Sequence, residues 1–141
     1  MIALGSDHAG LSLKLEITEL LDKLNIKYKD FGTHSSGSVD YPVYGKKVAE
    51  AVKNGEFEKG ILICGTGIGI SIAANKVKGI RAALCHDVFS AKMTRLHNDA
   101  NILTLGARVI GAGHALEIVE AFLGTDFSGE ERHLARIKML D

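Results

Sequence analysis

Five short apolar runs, each followed by a stretch of helical spacing, leave this chain few folds to choose from. Met1–Leu4, Lys27–Phe31, Gly60–Cys64, Arg81–Cys85 and Ile102–Leu105 read as strands. Leu13, Ile17, Leu20, Leu21 and Leu24 recur at helical spacing, so Leu11–Leu24 reads as a helix. Pro42 suits the first turn of a second helix, whose buried face is Val48, Ala51 and Val52. Ile70–Val77, Val88–Leu96 and Ala112–Leu123 come next as helices, and Glu130–Leu140 reads as a last helix with Leu134 and Ile137 on one face. Thr33–Asp40 is polar and reads as a loop. The alternation predicts an α/β fold: a parallel five-stranded sheet flanked by helices on both faces. Gly60–Cys64 and Arg81–Cys85 are expected to be buried on both sides. The length of 141 residues fits one domain, and no linker or repeat divides it, so residues 1–141 are expected to form a single domain. In such sheets ligands bind beyond the carboxyl ends of the strands, which points to the turns after Leu4, Cys64, Cys85 and Leu105.

Composition narrows the function. Lys+Arg and Asp+Glu both number 17, so no global field draws nucleic acid or an anionic membrane, and any anion site must be built locally. A hydrophobic content of 46% excludes a disordered chain. Cys64 and Cys85 are too few for a disulfide scaffold and lie in apolar runs, as free thiols in a reducing cytosol would. The start lacks a basic segment before an apolar one, and no run approaches the roughly 20 apolar residues of a membrane helix. A cytoplasmic protein is therefore expected, with neither nucleic acid nor membrane as partner. The histidines and cysteines show no metal-ligand spacing, and no metal or other cofactor is expected.

The segment Cys64-Gly65-Thr66-Gly67-Ile68-Gly69-Ile70-Ser71 is the most informative. Alternating glycines let the backbone turn tightly and aim several N–H groups at one point, and the helix after them adds the positive end of its dipole. Such a pocket holds a phosphate, a carboxylate or an oxyanion formed during reaction. The spacing G-x-G-x-G is not the G-x-G-x-x-G of a dinucleotide fingerprint, although Asp87 lies at about the right distance for a ribose contact, so a nucleotide-binding module stays open. Cys64 precedes these donors directly, where its thiolate would be stabilised as a base or nucleophile; its position in a strand, taken alone, favours a core cysteine. Cys85 ends a strand without a glycine loop and reads as core.

Other residues allow two readings each. Asp7 is an N-cap or, with His8, a ligand group at the same sheet edge. His97-Asn98-Asp99-Ala100-Asn101 is either a polar turn with a dipole partner or part of a site. Arg132 and Arg136 lie one helical turn apart, as a solvated face or as a pair that grips a phosphate dianion. Arg108 stands just past a strand end.

These residues together resemble the type B ribose-5-phosphate isomerases, a family that includes galactose-6-phosphate isomerase subunits. The carriers are Ser6-Asp7-His8-Ala9-Gly10, Val39-Asp40-Tyr41-Pro42, Gly60 to Lys76, Gly79-Ile80-Arg81-Ala82-Ala83 and His97-Asn98-Asp99-Ala100-Asn101. The resemblance implies a three-layer Rossmann-like sandwich, working as a homodimer or a dimer of dimers. It implies aldose–ketose isomerisation of ribose 5-phosphate and ribulose 5-phosphate without a metal; a six-carbon sugar phosphate is the alternative. Cys64 matches the proton-abstracting base, His97 the acid of ring opening, and Thr66 a hydroxyl near the reacting oxygens. Gly65, Thr66, Gly67, Ile68 and Gly69 match the anion-hole loop. Asp7, His8, Asn98, Arg108, Arg132 and Arg136 match substrate contacts. A branch of the family replaces the cysteine with a glutamate on the next helix, but Ser71–Lys76 holds no carboxylate. Gly129-Glu130-Glu131 departs from the family pattern just before Arg132.

Overall fold

A computed structural model describes residues 1–141. The strands are β1 (Ile2–Ser6), β2 (Tyr28–Asp30), β3 (Lys59–Cys64), β4 (Ala82–Leu84) and β5 (Ile102–Gly106). The helices are α1 (Leu11–Lys23), α2 (Tyr41–Lys53), α3 (Ile68–Asn75), α4 (Val88–Asn98), α5 (Ala112–Leu123) and α6 (Glu131–Lys138). All pairings are parallel, in the order β2-β1-β3-β5-β4. The chain leaves β1 toward one edge and β3 toward the other, so a topological switch point lies between these two strands.

Alternation along each strand feeds two cores, as period-2 side chains must. Leu4, Ile61, Ile63, Leu103 and Leu105 pack with Leu13, Ile17, Leu21, Ile118 and Phe122 on the α1/α5 side. Ala3, Leu62, Cys64 and Ile102 pack with Val48, Val52, Ile70 and Ala74 on the α2/α3 side. Each face of the sheet is thus covered, and α6 packs on α4 rather than on the sheet.

Two expectations are corrected. The run Arg81–Cys85 is not a doubly buried strand: β4 is three residues at the sheet edge, and Leu84 is 37% exposed. Cys85 still turns inward and is buried. On α6 the inward face carries His133 and Ile137, while Leu134 is 41% exposed. His133 is a turn ahead of Ile137, so the two share a helix face.

Sequence spacing gives no sign of Lys14, the largest wholly buried side chain. Its Nζ donates to Asp30 Oδ1 at 2.7 Å and to the Thr33 carbonyl, tying α1 to the turn that leaves β2. Asp30 Oδ1 also accepts the Gly32 N–H at 2.8 Å. The pair anchors the start of the Thr33–Asp40 loop. Lys14→Met strips the ammonium from a half-desolvated carboxylate. Loss of one partner in a buried pair costs about 3–5 kcal/mol; Asp30 keeps the Gly32 amide and some solvent, so we expect about 2–3 kcal/mol. Urea unfolding should show this loss at unchanged m-value, and part of it should return in Lys14→Met/Asp30→Asn.

Candidate active site

The loop Gly65–Gly67 continues β3, and Gly67 ends it as the N-cap of α3 with φ +76°. An L side chain rarely adopts that angle, and a Cβ on Gly67 would lie 2.8 Å from the Leu105 carbonyl carbon and 2.9 Å from the Gly106 nitrogen. The reverse fit holds at Gly106, where a Cβ would meet the Thr66 carbonyl oxygen at 2.5 Å. Backbone therefore lies on backbone. The Gly67 N–H donates to Cys64 Sγ at 3.1 Å, and the Ile68 N–H to Thr66 Oγ1 at 3.2 Å. The amides of Gly65, Thr66, Gly69 and Ile70 donate to no protein acceptor. Free N–H groups at a helix N-terminus, beside a thiol, form a receptor for negative charge.

The first strand delivers its groups to the same edge. The Asp7 N–H donates to the Ile63 carbonyl at 3.2 Å, and Asp7 Oδ1 accepts the Gly10 N–H at 3.1 Å. Asp7 thus caps the single 3-10 turn His8–Gly10 that leads into α1, whose own N-cap is Gly10, and it is also a neighbour of the loop. His8 Nδ1 accepts the Val39 N–H at 3.1 Å. That bond pins the far end of the Thr33–Asp40 loop and leaves Nε2 to carry the proton of the neutral ring. The Arg108 N–H donates to the Gly65 carbonyl at 3.0 Å, and its guanidinium lies over Gly65. Tyr41 lies in a segment that carries the family resemblance but has no role assigned by it; its phenol lies against Gly69, with Cζ 2.6 Å from where a Cβ would stand. Asp87 does not face a ribose site: Oδ1 and Oδ2 take the Ser90 N–H and Oγ–H at 2.7 and 2.8 Å, capping α4. The nucleotide reading loses its second motif.

His97, Asn98, Arg132 and Arg136 lie elsewhere. A helix between parallel strands runs back across the sheet, so α4 ends at the amino edge. There the Gly60 N–H, at the start of β3, donates to the Asn101 carbonyl at 2.9 Å. Cys64 closes the same strand, about 13 Å from Gly60 at ~3.3 Å per residue. Within one chain, then, the loop and His97 occupy opposite edges of the sheet. His97, Asn98, His133 and Arg136 line one groove, with Ile137 and Leu140. The His97 and His133 rings stack, with centroids 4.4 Å apart and planes 20° from parallel. Arg132 Nε donates to Glu130 Oε2 at 2.9 Å on an exposed surface.

Two further arginines shape this edge: Arg81, which lies in a segment that carries the family resemblance but has no role assigned by it, and Arg95, to which nothing in the sequence points. Arg81 Nε donates to the Asn98 carbonyl at 2.9 Å and Nη2 to the Asp99 carbonyl at 2.9 Å. Arg95 bonds Asp99 Oδ1 at 2.8 Å. Together they satisfy the orphan carbonyls at the end of α4 and fix the turn that carries His97. Their signal in the sequence is weak, because one stands beside a strand and the other in mid-helix.

The two thiols differ in surroundings. Burial, with the nearby Asp87 charge adding to it, pushes Cys85 up to about 11. About one Cys85 in a thousand is then thiolate at pH 8. Cys64 has the Gly67 N–H aimed at its sulfur instead. Iodoacetamide at pH 8 should therefore alkylate Cys64 at least about tenfold faster than Cys85, as read by peptide mass spectrometry; the reverse order would refute this account.

No helix is long and apolar enough to cross a membrane, and no three His, Cys, Asp or Glu side chains converge as a metal site. The Ribose/Galactose Isomerase family profile matches residues 2–140. Ribose-5-phosphate isomerase B of Escherichia coli (strain K12) is 50% identical over 139 residues, covering 99% of this chain and 93% of that protein. D-erythrulose-4-phosphate isomerase of Pectobacterium atrosepticum is 46% identical over 129 residues, covering 91% of this chain and 85% of its own length. The solved structure of Clostridium thermocellum ribose-5-phosphate isomerase B superposes with a TM-score of 0.97 at 57% identity, over 99% of this chain and 93% of that one. With its five-stranded parallel sheet and its thiol-bearing glycine loop, the chain belongs to the ribose/galactose isomerase family of sugar-phosphate isomerases.

Proposed function

We propose that residues 1–141 act as one domain that interconverts ribose 5-phosphate and ribulose 5-phosphate without a metal, through an enediolate. The observation that carries this reading is the Cys64 thiol beside the uncommitted amides of Gly65, Thr66, Gly69 and Ile70. Isomerisation moves a proton between C2 and C1. Cys64 removes it from one carbon and returns it to the other. The loop amides take the negative oxygen of the enediolate, a contact typically worth about 3–4 kcal/mol per donor. Thr66 relays the hydroxyl proton between O1 and O2. His97 exchanges a proton with the ring oxygen, since an imidazole nitrogen can both donate and accept one. Asp7, His8, Asn98 and Arg108 bind the sugar, and Arg132 and Arg136 hold the phosphate far from the reacting carbons, so that remote binding energy sets the geometry of attack.

The opposite placement of Cys64 and His97 supports a homodimer in which each site takes its loop from one subunit and its His97 groove from the other. Ile68, Ile72 and Phe89, exposed by 52%, 57% and 72%, supply apolar surface near the loop edge for such a contact. Coupled assays on ribose 5-phosphate and six-carbon sugar phosphates, with and without a chelator, test the substrate. Turnover of six-carbon sugars alone would replace ribose as the substrate, and loss of activity in chelator would sink the metal-free mechanism.

Shared sites predict complementation. Cys64→Ala and His97→Asn should each be nearly inactive on ribose 5-phosphate. Unfolded together in equal amounts and refolded, they should regain about a quarter of the parent activity, because half the dimers are mixed and each mixed dimer has one intact site. No recovery would return Cys64 and His97 to one subunit.

The phosphate contacts give a second expectation. A charge-assisted hydrogen bond is worth about 1.5–3 kcal/mol, so Arg132→Ala and Arg136→Ala should each lower kcat/KM roughly tenfold to a hundredfold, and the double change by less than the product. Steady-state kinetics on free ribose should show little effect. Equal losses with and without the phosphate would make the pair structural.

A further inference from the structure

Ring opening requires the His97 imidazole at one angle, yet His97 sits in the last turn of α4, partly exposed. Neither of its ring nitrogens has a hydrogen-bond partner in the chain; the specific contact that orients the ring is its stack on His133, 4.4 Å between centroids and 20° between planes. His133 itself is 6% exposed, and its buried Nε2 has no hydrogen-bond partner. The Glu130 carboxylate stands 3.9 Å from that nitrogen, too far to bond, and is taken up by Arg132. A buried ring nitrogen without a polar contact is a costly way to fill space, so what specifies the ring at this position is its face.

We propose that His133 is a positioning residue for ring opening: its ring, stacked on His97, fixes the plane from which His97 exchanges a proton with the sugar ring oxygen. The inference rests on the ring-opening role given to His97 above. The backbone agrees with it. His133 lies on the inward face of α6, between the exposed Arg132 and Arg136, and α6 packs on α4, so the helix that carries the two arginines also carries the ring that orients His97. Burial first, then the facing charges of His97, Arg132 and Arg136, hold His133 below the usual imidazole range against the pull of Glu130. His133 therefore offers His97 an uncharged π face, which an aromatic ring without nitrogen would also offer.

The test compares a substrate that must open with one that cannot close. Ribose 5-phosphate cyclises; a four-carbon aldose 4-phosphate has no free hydroxyl with which to form a stable ring. Steady-state kcat and KM are measured on both for the full-length parent and for His133→Leu, His133→Phe and His97→Asn, with circular dichroism melting as a fold check. We expect His133→Leu to lose about tenfold to a hundredfold in kcat on ribose 5-phosphate, as a misplaced group does, with little loss on the four-carbon substrate. His133→Phe should recover kcat to within about threefold of the parent. Should His133→Leu fail to fold, His133→Asn takes its place. Equal losses on both substrates would make His133 structural and overturn the proposal. So would a raised KM in His133→Phe without recovery of kcat, which would assign His133 to the phosphate. His97→Asn separates the two levels: selective loss there without selective loss in His133→Leu overturns this proposal alone. Equal losses in His97→Asn remove the ring-opening role and the proposal with it.

Discussion

The contact between the Thr66–Gly67 backbone and the end of β5 is the constraint on which the rest of the site depends. Neither Gly67 nor Gly106 has room for a Cβ against the other segment, so the loop rests on the strand with no side chain between them. That closeness turns the chain sharply enough to bring the Gly67 N–H back to Cys64 Sγ and to start α3 at once. It also requires β5 to lie next to β3. The sheet meets this by inserting β5 between β3 and β4, which sends β4 to the edge and leaves Leu84 partly in water. A rigid donor array is the product, and rigidity matters because amides that need not reorganise stabilise charge most effectively.

The same winding rule divides the chemistry between two edges. A parallel strand ends at the carboxyl edge, and the next helix returns to the amino edge. Groups on a β-to-α turn, such as Thr66, and groups at a helix end, such as His97, therefore face away from each other in one chain. On the proposed reading a second chain closes the gap, and the zero net charge of the protein lets two copies approach without long-range repulsion.

Cations near the amino edge fall into two groups. Arg81 and Arg95 are committed to the Asn98, Asp99 and Ala100 carbonyls and to the Asp99 carboxylate, so they hold the end of α4. Arg136 has no salt-bridge partner, and Arg132 shares an exposed Glu130. Exposed ion pairs are weak enough for a ligand to displace, whereas the partly buried, multiply bonded network is not.

Much of this is legible from spacing alone. The five strands and six helices lie where apolar periodicity puts them, because the residues that share a face are set by local geometry. The glycine loop and the contrast between Cys64 and Cys85 are also local, since both rest on the residues just past a strand end. Tertiary structure decided the features that depend on distant segments. Strand order made β4 an edge strand. The turn after β2 buried Lys14, which in sequence is one more charge on an amphipathic helix. Packing of α6 on α4 turned His133 inward and Leu134 outward, although hydropathy argues for the reverse. The edge of the sheet at which His97 stands, and hence its distance from Cys64, came from the course of α4 across the sheet, because a residue's neighbours along the chain do not record which end of a parallel sheet they reach.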